Sequence, residues 1–271
     1  PRTIARALNR NGYKWCQVAK KSPLTPKQMQ VRKVWVKRYL NKSPTWWTQN
    51  MHLIFDGVTL TKAPRKLAAR EKHAAQSIKA LWMKKGEAMD PDLHTYNRYG
   101  VQLGVKVPLW GGFNAQGGFA LKAWTPTAKM KKPQWAEYVP ALKRAAAAAD
   151  ADPNFKRLKI WCDNEQFLKI DDVYHQYGLA AVRFPPASGD LNPIETAWAA
   201  LRKDLAIREF DDLSNNKIIT TAQFKQRASQ LLSSYACVKP GKRYSYLENL
   251  IRGMPKRLQR CKKNKYGPCG K

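Results

Sequence analysis

The predicted fold is decided by the segment Phe184-Pro-Pro-Ala-Ser-Gly-Asp-Leu-Asn-Pro-Ile-Glu-Thr-Ala-Trp198. A predicted strand ends at the first residue of this segment, and a predicted helix begins within the segment. The apolar run 179–184 predicts the strand, and the two prolines after it predict a turn. Asn192-Pro193 predicts the start of a long helix, since proline is favoured in a first helical turn. Glu195 therefore lies in the first turns of a helix that follows a strand.

Two further acids lie at strand positions. Asp163 ends the short apolar strand predicted over 158–162, and ligand sites gather at the carboxyl ends of parallel strands. Asp56 lies inside the apolar strand predicted over 51–58, where a charged group is costly without a partner. If these strands are neighbours, both acids can converge with Glu195 at one edge of a sheet. Spacing alone leaves open the alternative that each acid is an ordinary turn or edge residue.

Three converging carboxylates predict a site for Mg²⁺ or Mn²⁺, because hard cations prefer oxygen ligands. We expect two ions, since two ions about 4 Å apart can activate a water or a 3′-hydroxyl and stabilise the leaving oxygen in phosphodiester cleavage. Asn164 and Asn192 are candidate hydrogen-bond donors to the metal-binding carboxylates. Asn192 can instead cap the helix that Pro193 begins.

The remaining pattern predicts an α/β fold with a mixed sheet and helices on its faces, because strands come first as a meander and then alternate with helices. Further strands are expected over 100–110 and 118–124, joined by a glycine-rich hairpin turn at 111–117. Helices are expected over 2–10, 25–40, 66–85, 134–149, 171–177, 193–209, 221–235 and 244–265, and an extended basic linker over 13–24.

The formal charge of +31 favours a polyanion as partner, and the charge is unevenly distributed. Residues 1–42 hold twelve Lys and Arg and no acid, and residues 239–271 hold eleven Lys and Arg and one acid. The acids are therefore concentrated in the middle, where a metal site needs them. On composition alone, a basic protein built on RNA, such as a ribosomal component, is an equal alternative.

Other classes are disfavoured by composition. No apolar run is long enough to cross a membrane, and the N-terminus has no apolar signal region, so we expect neither a membrane partner nor secretion. The missing initiator Met leads us to expect a fragment or a processed product. The five cysteines form no C-x-x-C pair, which argues against zinc and a disulfide framework and favours a reducing compartment.

The N-terminal segment carries candidate DNA-binding residues. Arg2, Arg6 and Arg10 recur at every fourth position and share one face of the predicted helix, which suits a helix laid in a DNA groove. We expect Lys14, Lys20 and Lys21 to contact phosphates. The alternative is a solvated basic face.

The quoted segment closely resembles the signature of Tc1/mariner transposases around their third catalytic acid. Its core, Asp190-Leu-Asn-Pro-Ile-Glu195 followed by Trp198, is highly specific and places Glu195 as that acid. Asp163-Asn164 after an apolar strand resembles the second-acid motif, and Ile54-Phe55-Asp56 resembles the first.

The resemblance covers nearly the whole chain. Trp110-Gly-Gly-Phe113 with Gly117 and Leu121 resembles the strand pair of the family, and Leu250 with Met254-Pro-Lys-Arg-Leu258 resembles its closing helix. Arg2-Thr-Ile-Ala-Arg-Ala-Leu8 with Gly12 resembles the end of the second helix-turn-helix of its DNA-binding region.

This resemblance implies an RNase-H-like fold, an acidic triad, Mg²⁺-dependent hydrolysis of DNA at transposon ends and strand transfer into target DNA, usually at TA. Asp56 and Asp163 would hold and share the metals, and Glu195 would complete one metal shell. A homodimer and a nuclear location are expected from the habit of the family. The implied domains are the end of a helix-turn-helix domain (1–15), a basic linker and helix (16–48), the catalytic domain (49–238) and a basic C-terminal helix and tail (239–271).

The sequence also departs from the pattern of the family. The first acid is usually followed by Glu-Ser or a similar polar pair, whereas Gly57-Val58 follows here. The second motif usually continues to a His, and Glu165-Gln166-Phe167 stands there instead. These departures keep an alternative open, a host-recruited or decayed transposase that binds nucleic acid without catalysis. Another RNase-H-like nuclease is the third possibility.

Overall fold

The computed structural model describes residues 6–8, 10–11, 13–17, 24–63, 80–84, 105–123, 140, 158–164 and 171–267. The strands are β1 (Tyr13–Gln17), β2 (Leu53–Lys62), β3 (Ala80–Lys84), β4 (Val105–Phe113), β5 (Phe119–Ala123), β6 (Leu158–Cys162) and β7 (Leu179–Arg183). The helices are α1 (Pro26–Tyr39), α2 (Pro44–Asn50), α3 (Asp171–Gln176), α4 (Pro193–Ser214), α5 (Thr221–Ala236), α6 (Tyr246–Arg252) and α7 (Met254–Lys263). In this part of the chain, no helix is long and apolar enough to cross a membrane.

A five-stranded sheet in the order β5-β4-β2-β6-β7 forms the centre. β2, β6 and β7 pair in parallel, and β4 and β5 form an antiparallel hairpin. The sheet is therefore mixed, as predicted, and Asp56 in β2 lies beside the carboxyl end of β6. Helices flank it, which confirms the predicted α/β class.

Both faces of the sheet are buried at its central strands β2 and β6. On one face, an aromatic cluster joins α1 and α2 to the strands, with Trp35, Trp47, Trp161 and Phe184 in contact. On the other face, Phe55, Ile160 and Cys162 pack with Tyr174 of α3. Because strand residues alternate between faces, β2 and β6 need apolar residues on both sides, which explains their continuous apolar runs.

The helix boundaries follow local capping signals. Thr25 begins α1 with a capping box to Gln28, and Thr220 begins α5 in the same way with Gln223. Pro44 after the capping Ser43 begins α2, a helix that the sequence analysis missed.

The described residues divide into two compact units. One comprises residues 24–60, 106–207 and 219–271 and holds the five-stranded sheet except for its outermost residues. The other comprises residues 1–23, 61–105 and 208–218 and holds the two-stranded sheet β1-β3. The domain boundaries predicted from sequence stay predictions.

Several predicted elements were wrong. A helix was expected over 66–85, but residues 80–84 form the strand β3, which pairs antiparallel with β1, where a linker was expected. Here strand pairing overrides the helical propensity of a Lys- and Ala-rich stretch. The rest of that predicted helix lies outside the described residues. The predicted helix over 244–265 is two helices separated at Gly253, and α4 continues past 209 to Ser214. The predicted helix over 134–149 lies outside the described residues except for Pro140, which is helical.

The predicted glycine-rich turn also differs. Gly111 and Gly112 lie inside β4, and the turn spans 114–118, where Asn114 N–H donates to the Gly118 carbonyl over 2.9 Å. A Cβ on Gly112 would collide with the Ile54 carbonyl, and one on Gly111 would lie 2.7 Å from the Ala120 carbonyl. These glycines therefore permit close strand approach and do not form the turn.

Candidate metal centre

The three predicted acids come from three elements that meet at one edge of the sheet. Phe55 lies opposite Cys162 in the parallel pair β2-β6, so Asp56 and Asp163 each follow at the next position. Glu195 is the third residue of α4. One carboxylate oxygen from each acid lies within 4.8 Å of those of the other two. The structure thus brings together all three acids.

The three acids differ in exposure. Asp56 is only 7% exposed, and Asp163 and Glu195 are half-buried. Asp56 also lines a cavity of about 180 Å³ between β2 and β4, together with residues 57–59 and 108–110. The site therefore has a buried floor at Asp56 and is accessible on the side of the other two acids.

Hydrogen bonds orient two of the carboxylates. The Gly57 N–H donates to Asp56 Oδ1 over 2.7 Å, and Asn192 Nδ2 donates to Asp163 Oδ1 over 2.7 Å. Asn192 is fully buried, and its Oδ1 accepts from the Ile194 N–H over 3.3 Å at the start of α4. Asn192 therefore has both roles that its position suggested, as a donor to an acid and as a helix cap. Asn164 follows Asp163 and is half-buried.

The segment between β7 and α4 is held by Arg32, which the sequence analysis missed. Arg32 is fully buried, and its guanidinium donates to both oxygens of Asp190 over 2.8 and 2.9 Å. Burial disfavours the charged guanidinium, but hydrogen bonds and the charge of Asp190 outweigh it and raise the pKa of Arg32 above its ordinary value. The sequence contained a signal for the burial of Arg32, because Arg32 lies between Met29 and Val36 on the apolar stripe of α1.

The predicted DNA-binding residues are only partly described. Arg6 and Arg10 lie in helical residues and are exposed. Lys14 lies in β1, not in a linker. Arg2, Lys20 and Lys21 lie outside the described residues.

No protein-family model matches the chain, and no curated protein matches its sequence. Solved structures do match in fold. The catalytic domain of Mos1 mariner transposase is 13% identical, with a TM-score of 0.53 over 92% of this chain and 98% of that domain. The Mos1 paired-end complex with the left transposon end is 15% identical, with a TM-score of 0.56 over 97% of this chain and 70% of that one.

The Mos1 strand transfer complex is also 15% identical, with a TM-score of 0.54 over 97% of this chain and 69% of that one. At these identities the similarity establishes the fold. The chain therefore has the RNase-H-like fold of a mariner transposase catalytic domain, which confirms the fold that the sequence resemblance implied.

Proposed function

We propose that this chain is a DNA transposase of the Tc1/mariner type, which cuts phosphodiester bonds at transposon ends and joins the cut strands to target DNA. The observation that carries this proposal is the convergence of Asp56, Asp163 and Glu195 within 4.8 Å. The shared fold supports it, since the Mos1 structures include a strand transfer complex.

The donor set fits a hard divalent cation. All the donors are carboxylate oxygens, which Mg²⁺ and Mn²⁺ prefer. Two charged carboxylate oxygens no more than 4.8 Å apart repel by at least about 3 kcal/mol at an effective dielectric constant near 20, and a bound cation offsets this repulsion. Paired-end complexes of Mos1 have been determined with Mn and with Mg. We propose two such ions, with Asp56, Asp163 and Glu195 as ligands.

When bound, the metal supplies positive charge that activates a water or a 3′-hydroxyl and offsets the charge on the leaving oxygen. The protein holds the metal-binding carboxylates in fixed orientations before the substrate binds. Asp56 is held by the Gly57 N–H, and Asp163 is held by Asn192. Glu195 is fixed by the first turn of α4. Since these ligands are already oriented, less reorganisation is needed when the substrate arrives.

We further propose that duplex DNA is the partner and that two copies of the chain act together. Mos1 forms a paired-end complex with the left transposon end, which supports both proposals by analogy. Arg6 and Arg10 are exposed and available for phosphate contacts, and we propose the same role for Arg2, Lys14, Lys20 and Lys21. The nuclear location stays a prediction.

The test is a nicking assay on supercoiled plasmid in Mn²⁺, with Asp163→Asn as the variant. Mutation of a group that only hydrogen-bonds to a metal ligand lowers metal affinity or activity about 10–100-fold. The loss of a direct ligand should therefore lower the nicking rate at least about a hundredfold. Asp171→Asn is the matched control, because Asp171 is an exposed acid that forms an ion pair with Arg183. It should nick at the rate of the parent.

Equal nicking by Asp163→Asn and the parent would contradict the proposal. A parent chain that binds DNA but does not nick it would favour the non-catalytic, recruited alternative. The departures from the pattern of the family at Gly57-Val58 and at Glu165-Gln166-Phe167 are the reason for testing this alternative.

A further inference from the structure

Two arginines from separate helices form hydrogen bonds to the segment that links β7 to α4 and to the first turn of α4. From α1, Arg32 donates to Ser188 over 2.8 Å and to both carboxylate oxygens of Asp190. From α7, Arg257 donates to the Asp190 carbonyl over 2.9 Å and to the Thr196 hydroxyl over 3.2 Å. Arg32 is 0% exposed and Arg257 8%. We call this pair the arginine clamp.

The clamp also joins the C-terminal end of the described chain to the same segment. Arg32 donates to the carbonyls of Tyr266 and Gly267 over 3.0 and 3.2 Å, and to the Cys261 thiol over 3.3 Å. One guanidinium therefore connects α1, the segment before α4 and the end of α7. Two parallel hydrogen bonds to one carboxylate fix orientation as well as distance.

Unusual backbone conformations flank the residues that Arg32 binds. Ala187 has φ 53°, and it precedes Ser188. Lys265 and Tyr266 have φ 49° and 65°, next to the carbonyls that accept from Arg32. In the described residues only one other non-glycine residue, Asn216, has a positive φ. Such conformations persist where surrounding contacts over-determine them, and they concentrate at functional sites.

The clamped residues adjoin two of the three acids. Asp190 precedes Asn192 by two positions, and Asn192 Nδ2 donates to Asp163 over 2.7 Å. Thr196 directly follows Glu195 in the first turn of α4. Movement of the clamped segment would therefore change the distance between Asp163 and Glu195.

We propose that Arg32 and Arg257 are positioning residues, which set the spacing of Asp163 and Glu195 for divalent-cation binding. This inference rests on the proposed function of the acidic site. The Asp190 carboxylate is occupied by Arg32, so its role is to fix the segment before α4 and not to bind metal.

Stability alone is a weak explanation for the clamp. The desolvation of a buried ion pair offsets most of its attraction, so an apolar pair of similar volume often stabilises a fold as well. What an apolar pair cannot provide is the fixed, two-point geometry that Arg32 imposes on Asp190.

The experiment compares Asp190→Asn and Thr196→Val with the parent chain. Asp190→Asn keeps the shape but removes one acceptor and the charge, and Thr196→Val removes the side-chain acceptor of Arg257 beside Glu195. We expect Mn²⁺ affinity, measured by calorimetry, to fall about 10–100-fold, as for other groups that support metal ligands. In the nicking assay, kcat should fall at fixed Mn²⁺ while KM for DNA stays unchanged, and saturating Mn²⁺ should restore part of the rate.

Two controls separate positioning from stability. Glu248→Gln breaks the partly exposed ion pair with Arg252, and Ile251→Val shortens a fully buried core residue. Both should lower the urea midpoint without changing Mn²⁺ affinity. If Asp190→Asn does not fold, Thr196→Val decides by itself.

The outcomes are distinguishable. Parent-like Mn²⁺ affinity in a folded Asp190→Asn or Thr196→Val would overturn the positioning role and leave the proposed function intact. Equal losses of affinity in the two controls would overturn it as well, because the effect would follow stability. A parent chain that neither binds Mn²⁺ nor nicks DNA would overturn the proposed function, and the positioning role with it.

Discussion

Any side chain at Gly57, next to Asp56, is predicted to destabilise the fold, because the indole ring of Trp110 covers this glycine. A Cβ at Gly57 would lie 2.6 and 2.7 Å from two ring carbons of Trp110, whereas ordinary contacts begin near 3.4 Å. Trp110 is 6% exposed and packs against Phe55 with ring centroids 5.7 Å apart. The ring must therefore move by roughly 0.8 Å against packed neighbours.

The magnitude follows from two opposing effects of Gly57→Ala. Overpacking of a buried site costs about 1–3 kcal/mol. Replacing glycine by alanine gains about 0.4–1 kcal/mol by restricting the unfolded chain. The difference between these ranges spans about 0–2.6 kcal/mol. Because a Cβ would lie as close as 2.6 Å to the Trp110 ring, the overpacking cost falls in the upper part of its range, and we expect a net loss of about 1–2 kcal/mol in the free energy of unfolding.

Urea denaturation of the parent, Gly57→Ala, Trp110→Leu and the double variant measures this loss. The smaller leucine side chain leaves room for the added methyl group. The loss of unfolding free energy in the double variant should therefore be about 1 kcal/mol smaller than the sum of the losses in the two single variants. A Gly57→Ala chain as stable as the parent, or strictly additive effects, would refute the reasoning.

Three further predictions concern single side chains. Asn192→Ala removes the donor to Asp163 and should weaken Mn²⁺ binding about tenfold by calorimetry, so unchanged affinity would count against that contact. Burial, and then the charge of Lys159, lowers the pKa of His52 below 6.5. The unfolded chain therefore binds the proton first as pH falls, so stability should drop as pH falls below about 6.5, and His52→Asn should reduce this drop in pH-dependent urea titrations. Burial raises the pKa of Cys162 to about 12, so maleimide at about pH 8 should label the exposed Cys237 and spare Cys162 in peptide mass spectra.

The sequence could predict the core of the fold and the acidic cluster because both rest on local signals. Asp163 ends an apolar strand, and Glu195 lies just after a proline that begins a helix. These signals are read over a few residues, and the parallel pairing of β2 and β6 then brings the acids together.

What the sequence did not reveal depends on distant partners. β3 has the composition of a helix, and its pairing with β1 across more than sixty residues makes it a strand. Arg32 contacts residues 156 to 235 positions away, so no local pattern could identify Asp190, Tyr266 or Gly267 as its partners. The extent of β4 was missed because Gly111 and Gly112 suggest a turn, whereas here they allow close strand contact.

The central claim is that Asp56, Asp163 and Glu195 form one divalent-metal site. Calorimetric titration of Mn²⁺ into the parent, Glu195→Gln and Asp211→Asn tests it most directly, since Asp211 is an exposed acid on the same helix. We predict saturable binding in the parent and in Asp211→Asn, and binding at least about a hundredfold weaker in Glu195→Gln. Equal affinity in Glu195→Gln and the parent, or no saturable binding in the parent, would contradict the account.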